Sequence, residues 1–187
     1  MTGGARSGKS AYALRQLESL DDVAFIATAD CKDAEMQERI RRHQSRRPAA
    51  WKTIETSRVV VVALKTTRHE ACILDCLTML VANMLQDMLA KDPAAVREGR
   101  GRDTEALILE NIELLLEGMR SNGAEFYIAT NEVGSGAASG SQEERFFRDM
   151  LGLVNETAAA AADNVALMVC GLPLWVKGKA HSEPDRT

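Results

Sequence analysis

A chain of 187 residues suits one compact domain, and 45% apolar with 27% charged residues supplies both a core and a solvated surface. A net charge of −4, from 23 basic and 27 acidic side chains, gives no general attraction for nucleic acid or an anionic membrane, and two Trp and two Tyr make poor stacking surfaces for bases. No apolar run approaches the ~20 residues that span a bilayer. Met1-Thr2-Gly3-Gly4 lacks the pattern of a secretory leader. Cys31, Cys72, Cys76 and Cys170 have no paired metal-ligand spacing, and Cys72 and Cys76, in or beside an apolar run, read as small buried hydrophobes in a reducing compartment. The expectation is a cytoplasmic protein of one domain, residues 1–187.

In chain order, the first feature is a glycine loop. Gly3-Gly4-Ala5-Arg6-Ser7-Gly8-Lys9-Ser10 fits G-x-x-x-x-G-K-[ST] at every fixed position. The glycines let the backbone curl so that successive N–H groups point at a phosphate, and the helix that follows adds its positive end. Lys9 is placed to reach the β- and γ-phosphates, and Ser10 to hold Mg2+ through its hydroxyl. A helix is expected over Ser10–Leu20. A loop of this kind normally extends a buried strand, yet only Met1 and Thr2 precede Gly3. Either that strand lies upstream of this sequence or the sheet lacks a central strand.

Four short, continuous apolar runs read as buried parallel strands: Val23–Thr28, Cys72–Cys76, Phe126–Thr130 and Val165–Cys170. Helical patterns lie between them, over Asp33–Ser45, Thr78–Lys91, Thr104–Arg120 and Gln142–Ala162. Arg58–Thr67 stays ambiguous, because Val59–Val62 favours a strand while strand–helix alternation favours a helix. The result is an α/β domain with right-handed crossovers. The loops Asp92–Arg102 and Gly134–Ser141 are the expected mobile segments.

Polar side chains collect where the strands stop. Asp75 ends the second run, where a carboxylate faces the ligand crevice of a parallel sheet. It either supports Mg2+ and nucleotide or caps the helix that follows. Thr28, Thr130 and Asn131 also occupy strand ends, with Asp30 and Glu132 close behind. In the helix over Asp33–Ser45, Met36, Ile40 and His43 share one face, and Glu35–Arg39 and Glu38–Arg42 pair at i, i+4. His43 reads either as a packed residue or as a nucleophile, since a neutral imidazole can attack phosphorus. Arg39, Arg41, Arg42, Arg46 and Arg47 make a local anion site or a solvated face.

Several segments together resemble the bifunctional adenosylcobinamide kinase / adenosylcobinamide-phosphate guanylyltransferase family of cobalamin biosynthesis. They are Thr2–Ser10, Phe25-Ile26-Ala27-Thr28-Ala29, Glu35-Met36 with Arg39-Ile40-Arg41-Arg42-His43, Arg47-Pro48 with Trp51 and Thr53, Leu74–Thr78, Thr130–Gly134, Arg145–Asp149 and Gly171–Leu174. They span nearly the whole chain in order. The resemblance implies a P-loop NTPase of RecA-like fold, a mostly parallel sheet flanked by helices, assembled as a homo-oligomer, a trimer. It implies phosphate binding by Gly3 to Ser10, and nucleotide contacts from Thr28, Ala29 and Asp30, from Gln44, Ser45, Arg46 and Arg47, and from Asp75. The implied substrates are GTP, ATP and a corrinoid. The γ-phosphoryl passes to the aminopropanol hydroxyl of adenosylcobinamide. GMP then passes through a covalent His43 intermediate to that phosphate, giving adenosylcobinamide-GDP and pyrophosphate. The segment after Gly134 departs from the family's apolar, Pro-containing stretch.

Overall fold

The computed structural model describes residues 1–30, 34–58, 60–66, 68–96, 101–136 and 140–178. Strands β1 (Val23–Ala27), β2 (Lys52–Glu55), β3 (Ala71–Asp75) and β4 (Glu125–Ala129) form a parallel sheet in the order β2-β1-β3-β4. Strands β5 (Val165–Val169) and β6 (Leu172–Lys177) form an antiparallel pair. The helices are α1 (Lys9–Gln16), α2 (Ala34–Gln44), α3 (Val60–Thr66), α4 (Leu77–Lys91), α5 (Gly101–Asn122) and α6 (Gln142–Ala161). The four expected strands and five expected helices are present with shifted ends, but the run over Val165–Cys170, expected as a buried parallel strand, pairs antiparallel with β6 and is buried only at alternate residues.

The continuous apolar runs are explained by a sheet covered on both faces. Alternate residues of β1 and β3 go to opposite sides. Ile26 and Leu74 join α3, α4, α5 and α6, whereas Phe25 and Ile73 join Ala13 of α1, Leu17 just after that helix, and Trp51. Helix α5 buries Thr104, Ile108, Ile112, Leu115, Leu116 and Met119 at helical spacing. Helix α6 starts in a capping box, in which Glu144 N–H donates to Ser141 Oγ at 3.1 Å and Ser141 N–H to Glu144 Oε2 at 2.9 Å.

The ambiguous Val-rich stretch forms helix α3. Two strands were not expected. Strand β2 is mostly exposed and polar, and β6 carries Pro173, so neither shows a buried-strand pattern. Cys31 lies outside the described residues, as do residues 97–100 and 137–139 of the two expected mobile loops. Cys72 is buried and its thiol is pushed up to about 11 by desolvation, with the nearby Asp22 charge adding to the effect.

The two residues before the glycine loop pair with strands on both sides. The Met1 amine donates to Ile128 O at 2.7 Å, and Thr130 N–H donates to Met1 O at 3.0 Å. On the other side Thr2 N–H donates to Ala166 O at 2.9 Å, and Met168 N–H to Thr2 O at 2.8 Å. Thr2 thus forms a parallel bridge with Leu167, and Met1–Thr2 joins the two sheets.

Burial lowers the Met1 amine from 8.0 to about 6, with the Lys9 charge adding to the effect. The fold therefore prefers the neutral amine, and the unfolded chain binds more protons across that window. Stability contributed by this group is lost below pH 6 and rises as pH passes from 6 to 8. At ~1.4 kcal/mol per pH unit, the gain is at most about 3 kcal/mol. Denaturant unfolding of a chain whose first residue is Met1 should show this rise, and N-terminal acetylation should remove it.

Candidate nucleotide-binding site at the carboxyl edge of the sheet

The glycine loop leaves Thr2 and turns into α1 between the ends of β4 and β5. Two of its glycines are required by geometry. Gly3 has φ +146°, and a Cβ there would lie 2.6 Å from Met168 O. Gly8 has φ +99°, and a Cβ there would meet Gly171 Cα at 2.8 Å. Gly171 N–H donates to Ser7 O at 2.9 Å, so the β5–β6 turn buttresses the loop. Gly8 is the N-cap of α1 and supplies no side-chain cap, which leaves the helix start open to an anion. Gly4, Ala5 and Arg6 are exposed along the loop, while Ser7 and Ser10 are half-buried.

Lys9 is buried at 8% exposure. Its ammonium donates to Gly3 O and Gly4 O, both at 2.7 Å, and to Ser7 Oγ at 3.4 Å. Desolvation lowers its pKa, opposed by the neighbouring Cys76 and Asp75. Asp75, half-buried at the end of β3, also acts on Arg47. The Arg47 guanidinium stacks 3.6 Å over the Phe25 ring, and its terminal nitrogen donates to Thr53 Oγ1 at 3.1 Å. Its Nε is buried without a hydrogen-bond partner among the described residues. Burial lowers the Arg47 pKa, with Asp75 and then Glu55 opposing. Lys9, Asp75 and Arg47 thus form one electrostatic group.

Buried polar side chains hold the strand ends. Thr28 Oγ1 donates to Cys76 O at 2.6 Å and accepts from Cys76 N–H at 2.8 Å. Asn83, on the buried face of α4, donates to Thr28 O at 2.9 Å and Ser57 O at 3.0 Å. Asn131 N–H donates to Thr78 Oγ1 at 2.6 Å, and Thr130 Oγ1 donates to Asn155 Oδ1 at 2.7 Å. Asn155 Nδ2 in turn donates to Asn131 O at 2.9 Å. Cys76, half-buried, has its thiol raised to about 11, first by desolvation and next by Asp75.

His43 sits half-exposed on the last turn of α2. Gln44 Nε2 donates to Glu55 Oε1 at 2.7 Å, which ties that end of α2 to the carboxyl end of β2. The Gln44–Arg47 segment follows His43 in the chain, and its Arg47 lies within the influence of Asp75. Ser45 donates to Arg42 O at 3.1 Å, and Arg46 is exposed. Arg41 and Arg42 pair with Glu38 on the solvent side. Ala29 is half-buried, and Asp30 pairs with Arg58 at 3.4 Å, which also grips Asp87.

Sequence reasoning named Asp75, Thr28 and Arg47 but missed the holding role of Asn83 and Asn155. A polar residue inside the apolar face of α4 was the available signal for Asn83. Ser10 and Asp75 present the hard oxygen donors that Mg2+ takes, commonly together with phosphate oxygens. Among the described residues no cluster of three His, Cys, Asp or Glu side chains offers a metal site by itself.

The parallel sheet and its glycine loop define an α/β domain of the P-loop NTPase class. A family model described as cobinamide kinase / cobinamide phosphate guanyltransferase matches residues 1–176. The chain belongs to that family. It is 36% identical over 185 residues to the bifunctional adenosylcobalamin biosynthesis protein CobU of Salmonella typhimurium, covering 95% of this chain and 98% of the relative. It is 36% identical over 180 residues to CobU of Escherichia coli, with the same coverage. It is 34% identical over 180 residues to the bifunctional adenosylcobalamin biosynthesis protein CobP of Pseudomonas aeruginosa, covering 95% of both chains.

Replacing Asn83 removes the donor for two strand-end carbonyls. Asn83→Ala should destabilise the fold by about 2–3 kcal/mol in urea unfolding. Asn111→Ala, on an exposed face of α5, should stay within about 0.5 kcal/mol of the parent.

Proposed function

We propose that this protein phosphorylates adenosylcobinamide with ATP or GTP and then converts the product to adenosylcobinamide-GDP with GTP. The observation that carries this reading is the convergence of Lys9, Asp75 and Arg47 at one sheet edge, in a chain matched by the family over nearly its whole length. In the first step the aminopropanol hydroxyl attacks the γ-phosphorus and the nucleoside diphosphate leaves. In the second, His43 attacks the α-phosphorus of GTP and pyrophosphate leaves. The substrate phosphate then takes GMP from His43, restoring the imidazole. A covalent intermediate divides one difficult displacement into two easier ones.

Each residue has a role within this reading. Gly3 to Ser10 cradle the phosphates. Lys9 exchanges the carbonyls of Gly3 and Gly4 for phosphate oxygens, which strengthens its bonds because both partners are then charged. Arg47 offers its unpaired Nε–H to the nucleotide. Asp75 orients Lys9 and Arg47, and Thr28 to Asp30 with Gln44 to Arg46 complete the nucleotide contacts. Mg2+, held by Ser10 with phosphate oxygens, would neutralise charge that develops on the phosphates. We place the protein in the cytoplasm, which suits the free thiols of Cys72, Cys76 and Cys170. We also read it as a homo-oligomer, a trimer by resemblance. Val169, Leu172, Leu174 and Val176 are each more than half exposed and offer an apolar interface.

Incubation with α-labelled GTP should leave label on the denatured chain, stable to base and labile to acid. His43→Ala should abolish that label and the guanylyl transfer while keeping γ-phosphoryl transfer within a few-fold. Lys9→Ala should lower both activities by about 100-fold or more. Label retained in His43→Ala would remove His43 from the role. Phosphoryl transfer without covalent GMP would mark a simple kinase, and nucleotide binding without turnover a binding module.

A further inference from the structure

Asp30, Glu55, Asp75 and Glu132 stand at or just past the carboxyl ends of β1, β2, β3 and β4. Three of these acids are engaged. Asp30 pairs with Arg58. Glu55 accepts from Gln44 and acts on Arg47. Asp75 acts on both Lys9 and Arg47. A cation beside a carboxylate favours its charged form and so weakens it as a base. Glu132 differs, because among the described residues it makes no ion pair.

Its main chain is nonetheless tied to the phosphate loop. Glu132 N–H donates to Gly3 O at 3.1 Å, and the Lys9 ammonium donates to the same oxygen at 2.7 Å. The residues before it are fixed as well. Thr130 N–H donates to Met1 O, Asn131 N–H to Thr78 Oγ1, and Asn155 Nδ2 to Asn131 O. The half-buried side chain is held through one oxygen. Glu132 Oε1 accepts from Gly134 N–H at 2.6 Å and from Ser135 N–H at 3.2 Å. Oε2 accepts no hydrogen bond from any described residue. The carboxylate is thus oriented by one oxygen while the other stays open to a ligand.

We propose that Glu132 is the general base of the phosphoryl-transfer step and takes the proton of the acceptor hydroxyl on Oε2. This rests on the kinase reading given above. Lys9 marks the β- and γ-phosphates, and Glu132 is bonded to the very carbonyl that holds Lys9 in their absence. In the step, a lone pair of the hydroxyl oxygen forms the new bond to the γ-phosphorus. The bond from that phosphorus to the bridging oxygen breaks, and its electron pair leaves with the nucleoside diphosphate. The hydroxyl proton passes to Glu132 Oε2 and then to water. The two acids divide the work: Asp75 orients Lys9 and Arg47, and Glu132 carries the proton. His43 needs no such base, because a neutral imidazole attacks phosphorus through a nitrogen lone pair. Glu132 therefore serves the phosphoryl half of the reaction alone.

The test compares the parent with Glu132→Gln, which keeps an oxygen for the N–H groups of Gly134 and Ser135 but cannot take the proton. Transfer of γ-phosphoryl from labelled GTP to adenosylcobinamide should fall by about 100-fold or more. Covalent label from α-labelled GTP, and GMP transfer to adenosylcobinamide phosphate supplied ready-made, should stay within a few-fold of the parent. Glu132→Asp keeps a carboxylate and should fall between the two. Phosphoryl transfer by Glu132→Gln within a few-fold of the parent would overturn the assignment. Loss of both activities together would overturn it too, because the residue would then support the loop and not the proton. A parent that phosphorylates no adenosylcobinamide would end the substrate reading alone. Release of γ-phosphate to water then reads the base: a similar loss in Glu132→Gln supports it, and an unchanged rate overturns it.

Discussion

The phosphate loop depends on two residues of extended backbone. Met1 and Thr2 bond to β4 on one side and β5 on the other, and Gly3 turns directly out of that pairing. A single hydrogen bond of this kind is worth only about 1 kcal/mol net. Here the bonds come from both flanks within two residues, so the loop entry cannot move without breaking pairing in both sheets. Gly3 O itself accepts from Glu132 N–H at 3.1 Å and from Lys9. The loop, the ends of β4 and β5, and the lysine are thus one bonded unit.

The carboxyl edge is otherwise stabilised by side chains that satisfy buried backbone. Thr28, Thr78, Asn83, Thr130 and Asn155 replace the partners that strand ends lose where pairing stops. Such residues are costly to bury alone and stabilising once paired. The network spans β1, β3, β4, α4 and α6. It fixes the strand ends from which Asp75, Ala29 and Asp30 project, and a site of this kind needs a rigid support.

Much of this was legible in local sequence. The glycine loop reads directly because every fixed position lies within eight residues and each has a local physical reason. Strands β1 and β3 read directly because burial on both faces demands unbroken apolar runs, whereas β4 and β5 carry such runs but are only partly buried. Strand β2 did not, because Lys52, Thr53, Ile54 and Glu55 sit on a mostly exposed edge. Strand β6 did not, because Pro173 suits only an edge position. Val59–Val62 carried strand propensity, yet Val60–Thr66 forms helix α3, whose Val60 and Leu64 pack in the core with α5. The holding roles of Asn83 and Asn155 were hidden for another reason: their partners are 55 and 24 residues away, and spacing carries no trace of such pairs. Arg47 was legible as a basic residue, but its stack on Phe25 of β1 pairs residues that are distant in the chain.

The contact between Gly8 and Gly171 has a mechanical consequence. Neither residue has a side chain that can rotate aside, and a backbone bond from Gly171 to Ser7 locks the two turns together. The β5–β6 tip and the phosphate loop are therefore in direct backbone contact. The strand that leaves that tip bears Leu172, Leu174 and Val176 outward. A subunit or ligand that leans on this ribbon has a stiff lever on the seat of the triphosphate.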